Sequence, residues 1–125
     1  MVALIGAGQF GETFIRQCRR ISGMQISFVC DLQPERARAA LLAAGYDNSA
    51  FVSVGSNEEA ATALNNGQII ITADYRLISG LPLDCVVEAT GSPEAAAQVG
   101  QITLMSGFHL VTVSYTHLTL PTNTV

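Results

Sequence analysis

Lysine is absent from this chain of 125 residues; all six basic side chains are arginines. Any mechanism that relies on a lysine acid, base or Schiff-base partner is therefore incomplete within it. Charge is scarce in general, with charged residues at 13% against roughly 25% in an ordinary domain. Ten acids against six bases leave a net charge of −4. The basic stripe that phosphate backbones require is missing, so no nucleic-acid partner is expected. Cysteine is sparse as well. Cys18, Cys30 and Cys85 are odd in number and widely spaced, which fits buried thiols in a reducing compartment and neither a zinc site nor a disulfide framework. No basic segment precedes the first apolar residues, as a signal peptide would need. After Glu94 there is no Asp, Glu, Lys or Arg. Gln, Ser, Thr and Gly still interrupt that stretch, so it offers no membrane span of about 20 apolar residues. A cytoplasmic, soluble chain with no membrane partner is expected. At 49% hydrophobic it has enough apolar side chain for one compact domain and too much for intrinsic disorder.

Alternation of apolar runs and amphipathic stretches sets the fold class. Val2–Ile5 is a short apolar run ending at Gly6, the pattern of a buried strand. Phe10, Phe14, Cys18 and Ile21 recur at helical spacing, with Arg16, Arg19 and Arg20 mostly off that stripe, and Ser22-Gly23 ends the helix. Ile26–Cys30 predicts a second strand. Pro34 suits the first turn of a helix running to about Ala44, with Gly45 as its stop. Phe51–Val54 reads as a short extended piece, and Ser56-Asn57 opens a helix over Glu58–Leu64. Ile69–Thr72, Asp84–Ala89 and Leu110–Val113 predict further strands. Tyr75–Ile78 suggests one helical turn, and Ser92-Pro93-Glu94 opens a helix to about Met105. This order predicts an α/β, Rossmann-type doubly wound parallel sheet with strand order 3-2-1-4-5, the Phe51 piece left out of the count.

The segment Gly6-Ala7-Gly8-Gln9-Phe10-Gly11 reads G-x-G-x-x-G between a predicted strand and a predicted helix. Gly6 suits the tight turn, Gly8 lets a pyrophosphate approach the backbone, and Gly11 lets the helix pack closely on the strand. The helix start then offers free N–H groups to phosphate without needing a basic surface. Asp31 ends the second strand, 20 positions after Gly11, where an acid accepts hydrogen bonds from the adenosine ribose. Its charge opposes a 2′-phosphate, so NAD is expected over NADP, a preference that Arg36 and Arg38 in the next helix would soften. Asp31 also suits a helix cap, and the two roles are compatible. In Glu88-Ala89-Thr90-Gly91-Ser92-Pro93, Thr90 and Gly91 are placed to present backbone groups to the nicotinamide ribose. The plain alternative is a strand-to-helix loop capped by Ser92. Glu88 faces either the site or a core polar partner. His109 reads as a surface or loop histidine, and no catalytic or metal-ligating residue is assigned. Phosphate-loop, zinc-protease and nucleophile-elbow motifs are missing.

The stretches VALIGAGQFGETFI, FVCDLQPERARAAL, DCVVEATGSPEAAAQVG and GFHLVTV resemble the N-terminal NAD(P)-binding domain of homoserine-dehydrogenase-like oxidoreductases, in particular the bacterial group that usually ends in a SAF domain. The resemblance covers residues 1–113 and implies cofactor roles for Gly6, Gly8, Gly11, Asp31, Thr90 and Gly91. It implies hydride transfer between a nicotinamide cofactor and a small alcohol or aldehyde. In that family a second half supplies substrate contacts, lysine-type catalytic groups and a dimerising sheet, so the whole enzyme would be a homo-oligomer. Here Val113 leads instead into VSYTHLTLPT, which is similar to a recurrent translated sequencing-adapter tail. Residues 114–125, His117 included, are therefore expected to be non-native, and residues 1–113 to bind cofactor without catalysing. Two other classes stay open. A nucleotide-sensing regulatory module would also pair this glycine loop with an acid. An S-adenosylmethionine methyltransferase would be expected to carry an acid just before the first glycine, where Leu4-Ile5 stand.

Overall fold

The computed structural model describes residues 1–113; the expected non-native tail, residues 114–125, lies outside the described residues. Six strands alternate with four helices: β1 (Val2–Ile5), α1 (Gln9–Cys18), β2 (Ile26–Cys30), α2 (Pro34–Ala43), β3 (Phe51–Ser53), α3 (Asn57–Asn65), β4 (Ile69–Thr72), β5 (Cys85–Glu88), α4 (Pro93–Met105) and β6 (His109–Thr112). Short 3-10 turns at Asn48–Ala50 and Tyr75–Ile78 complete the order.

The strands form one parallel sheet in the order β3-β4-β2-β1-β5-β6. The expected 3-2-1-4-5 order is the run β4-β2-β1-β5-β6 within it. The Phe51 piece adds a further edge strand, paired with Ile69–Ile71 of β4. Its buried Phe51 ring sits in one apolar cluster with Ile69 and Ile71, which is a tertiary reason for three residues to extend.

The sheet is covered on both faces, as parallel sheets require. On one face Leu4, Val29, Ile71 and Val87 pack with Ile15 of α1 and Leu41 of α2. On the other, Ile5, Phe28, Ile70 and Val86 pack with Ala60 of α3 and Val99 of α4. The helix starts follow local chemistry. Ser56 accepts from the Glu59 N–H at 3.2 Å while the Glu59 carboxylate takes the Gly55 N–H at 3.0 Å, a reciprocal cap. Ser92 accepts from the Ala95 N–H at 3.3 Å, with Pro93 in the first turn. α1 stops at Cys18, one turn before Ile21, because the chain closes into tight turns there and Gly23 takes a φ of +91° on the way to β2.

Candidate functional site

The carboxyl ends of the parallel strands meet at one edge, and the loops leaving β1, β2, β4 and β5 frame a cavity of about 250 Å³. Gly6, Asp31, Arg36 and Thr90, all singled out in the sequence, line it together with Leu32 and Tyr75. Ala7, Gly8 and Gln9 line a shallower groove between α1 and α2, which Arg36 also borders.

The three motif glycines have three different surroundings. Gly6 has a φ of +101°, and a Cβ there would lie 2.6 Å from the Ala89 carbonyl oxygen and 2.9 Å from the Thr90 nitrogen. The β5–α4 loop is thus packed directly on the β1–α1 turn. At Gly11 a Cβ would meet the Gly6 oxygen at 2.6 Å and Leu4 at 3.2 Å, so this glycine lets α1 sit close on β1. Around Gly8 nothing lies within 4 Å. Gly8 caps α1 with extended backbone and no side-chain cap. The N–H groups of the first turn, including those of Gln9 and Phe10, therefore have no intrahelical or side-chain partner among the described residues. Phe10 is half-exposed and stacks on Phe14, with ring centroids 6.1 Å apart. Its backbone belongs to the turn, while its ring lies along the helix.

Asp31 is only 9% exposed. The Ala7 N–H donates to its Oδ2 at 2.9 Å, and the Gln33 N–H donates to its Oδ1 at 2.9 Å. The carboxylate thus straps the glycine turn to the start of α2. It is not the cap of that helix, which is Gln33; Asp31 closes the turn just before it. Each carboxylate oxygen keeps a second lone pair for a ligand. Arg36 is exposed and pairs with no carboxylate among the described residues, whereas Arg38 reaches Glu35.

Thr90 and Gly91 leave β5 at the same edge, Gly91 with a φ of +76°. Glu88, fully buried, turns to polar partners in the fold, Thr90 and Thr112, and not into the cavity. The motif reading missed Leu32 and Tyr75. The general rule that ligands sit outside the carboxyl ends of the strands was the available signal for Tyr75, which follows β4 as Thr90 follows β5.

Cys30 also lines the cavity. Burial pushes its thiol from 9.0 up to about 12, with the Asp31 and Asp74 carboxylates adding to the rise. It stays protonated at neutral pH and is a packing residue, not a nucleophile. Because the folded value lies above the unfolded one, the associated stability is complete below pH 9 and is lost as pH rises toward 12. Wild-type protein is expected to lose about 1.5 kcal/mol between pH 9 and pH 10.5 from this group. Urea midpoints should fall less over that interval in Cys30→Ala. Equal slopes would refute the assignment.

Among the described residues no cluster of three or more His, Cys, Asp or Glu is placed to hold a metal ion, and no helix is long and apolar enough to cross a membrane.

A doubly wound parallel sheet with a glycine turn at the carboxyl edge of its central strand defines a dinucleotide-binding domain of the Rossmann type. Residues 1–78 match the model of the family described as NADP oxidoreductase, coenzyme F420-dependent, and the chain belongs to that family. It therefore carries the NAD(P)-binding domain of an oxidoreductase. This match does not single out the homoserine-dehydrogenase group. No curated protein matches the chain.

Proposed function

We propose that the chain holds NAD in preference to NADP across the carboxyl edge of its sheet, as the cofactor-binding domain of an oxidoreductase of the homoserine-dehydrogenase type. The observation that carries the cofactor preference is Asp31, a mostly buried carboxylate held in place by two backbone N–H groups beside the cavity. An anchored carboxylate accepts from ribose hydroxyls and repels a 2′-phosphate. Arg36 borders the same cavity and offsets part of that repulsion, which suits a family whose description names NADP.

The residues present fit a dinucleotide. The space in front of Gly8 and the uncapped first turn of α1 suit a pyrophosphate. Asp31 suits the adenosine ribose, and the Thr90–Gly91 turn suits the nicotinamide ribose. Gly6 and Gly11 act through packing, bringing the loops close enough to share one ligand. The nicotinamide, when bound, supplies the hydride chemistry toward a small alcohol or aldehyde. The segments D-L-Q-P-E-R-A-R-A and V-V-E-A-T-G-S-P-E support the homoserine-dehydrogenase type.

Replacing Asp31 tests the preference. Asp31→Ala also releases the Ala7 and Gln33 N–H groups, so both cofactors should bind more weakly. NADH is expected to lose at least about tenfold more affinity than NADPH, the worth of one charge-assisted hydrogen bond. Fluorescence titration of both cofactors measures the ratio. Equal losses would leave Asp31 as a loop strap only and remove the ribose assignment.

A further inference from the structure

The carboxyl edge contains a buried carboxyl that the dinucleotide reading does not use. Thr72, Cys30, Ile5, Glu88 and Thr112 are successive Cα partners across β4, β2, β1, β5 and β6. Ile5 and Cys30 belong to the apolar cluster that α3 and α4 cover. Glu88 stands in the same row at 0% exposure, where an apolar side chain would pack without any desolvation cost. Its oxygens are used instead. The Thr90 N–H donates to Oε2 at 2.8 Å, and the Thr90 hydroxyl donates to the same oxygen. The Thr112 hydroxyl donates to Oε1. The network continues outward, since the Ser92 N–H donates to the Thr90 hydroxyl at 3.1 Å and the Ala95 N–H donates to the Ser92 hydroxyl. One buried carboxyl thus joins the end of β6, the turn after β5 and the first turn of α4. From the other side the same turn rests on Gly6, which has no room for a Cβ.

We propose that Glu88 is the positioning residue for the nicotinamide side of the cofactor: by bridging Thr90 to Thr112 it holds the Thr90–Gly91 turn in register with β6. This rests on the reading of Thr90 and Gly91 as contacts to the nicotinamide ribose. A turn with its own backbone N–H anchored to a buried carboxyl meets its ligand already ordered, so no ordering cost is deducted from the affinity. The adenosine side, set by Asp31 and Gly8, does not use this anchor.

NADH and ADP separate the two sides, because ADP carries adenosine and pyrophosphate but no nicotinamide ribose. In Glu88→Leu the NADH dissociation constant should rise about tenfold or more, while that for ADP stays within about twofold. Glu88→Gln keeps an oxygen for the Thr90 N–H and gains an NH₂ that donates to the Thr112 hydroxyl. It should return NADH binding to within about threefold of wild type. A carboxyl with a purely structural role would weaken ADP and NADH alike, and that result overturns the proposal, as does unchanged NADH affinity in folded Glu88→Leu. If Glu88→Leu does not fold, Thr112→Val removes only the far anchor and should still weaken NADH selectively; equal or absent losses there overturn the proposal too. Wild-type chain that binds neither ligand overturns the cofactor reading itself, and this inference with it.

Discussion

Gly6→Ala is expected to lower the thermal midpoint by at least about 12 °C. A left-handed backbone costs a non-glycine residue about 1–3 kcal/mol, and Gly6 sits at φ +101°. The added methyl would also press on backbone: the Ala89 oxygen at 2.6 Å, the Ala89 carbonyl carbon at 2.7 Å and the Thr90 nitrogen at 2.9 Å. These atoms cannot swing aside as a flexible side chain does. The Ala89 N–H is bonded to the Ile5 carbonyl at 2.7 Å, and Thr90 is tied to Glu88. Relief therefore requires β1 and β5 to separate at the carboxyl edge. A total loss of about 3 kcal/mol or more follows, a large share of the roughly 5–15 kcal/mol that a domain has. At about 4 °C per kcal/mol for this size, a melt followed by circular dichroism detects it easily. A midpoint within about 3 °C of wild type would show that the turn is looser than its contacts imply.

Gly8→Val should behave in the opposite way, though it lies two positions away in the same motif. Its Cβ would meet nothing within 4 Å, and its backbone is extended at φ −72°. No left-handed backbone and no close neighbour oppose a side chain there, so stability should stay within about 1 kcal/mol of wild type. The isopropyl group would instead stand before the uncapped N–H groups of α1, where the cofactor pyrophosphate is proposed to lie. NADH affinity should fall at least about a hundredfold, or about 2.7 kcal/mol. Paired melts and fluorescence titrations of the two variants separate the roles: Gly6→Ala loses the fold, Gly8→Val keeps it and loses the ligand. Retained affinity in folded Gly8→Val would move the phosphate site elsewhere.

Much of the architecture was legible because it is written in local pattern. Apolar runs such as Val2–Ile5 and Ile26–Cys30 announce buried parallel strands, and Ser56 and Ser92 with Pro93 announce helix starts that the hydrogen bonds bear out. The alternation of these elements implied crossovers and hence the strand order. Features that depend on distant partners were not legible. Phe51–Val54 read as an extended piece, but its place in the sheet was not legible: Phe51–Ser53 pairs because β4 offers an edge and Ile69 and Ile71 offer a surface. The strand order already placed β4 beside β2, but that Tyr75 lines the cavity at that edge was visible only in the structure.

The glycine motif shows where the boundary falls. Its spacing alone implied a dinucleotide turn, since only glycine allows the tight turn and the two close approaches that the fold needs. That Gly6 faces backbone was decided by the β5–α4 loop, some eighty residues along the chain, whereas Gly11 meets the Gly6 oxygen within the motif and Gly8 faces open space. Asp31 repeats the pattern. Its place at the end of β2 follows from the run before it and its hold on the Gln33 N–H is local, whereas its hold on the Ala7 N–H exists only once β1 and β2 lie side by side. For Glu88 the sequence left two directions open, the cavity or the core. Packing of β6 against β5 brought Thr112 opposite and settled it. Backbone propensity and apolar periodicity act within a few residues, so the sequence by itself determined the elements and their order. Hydrogen-bond partners and free volume are properties of juxtaposed segments, so only the tertiary structure decided what each of these side chains does.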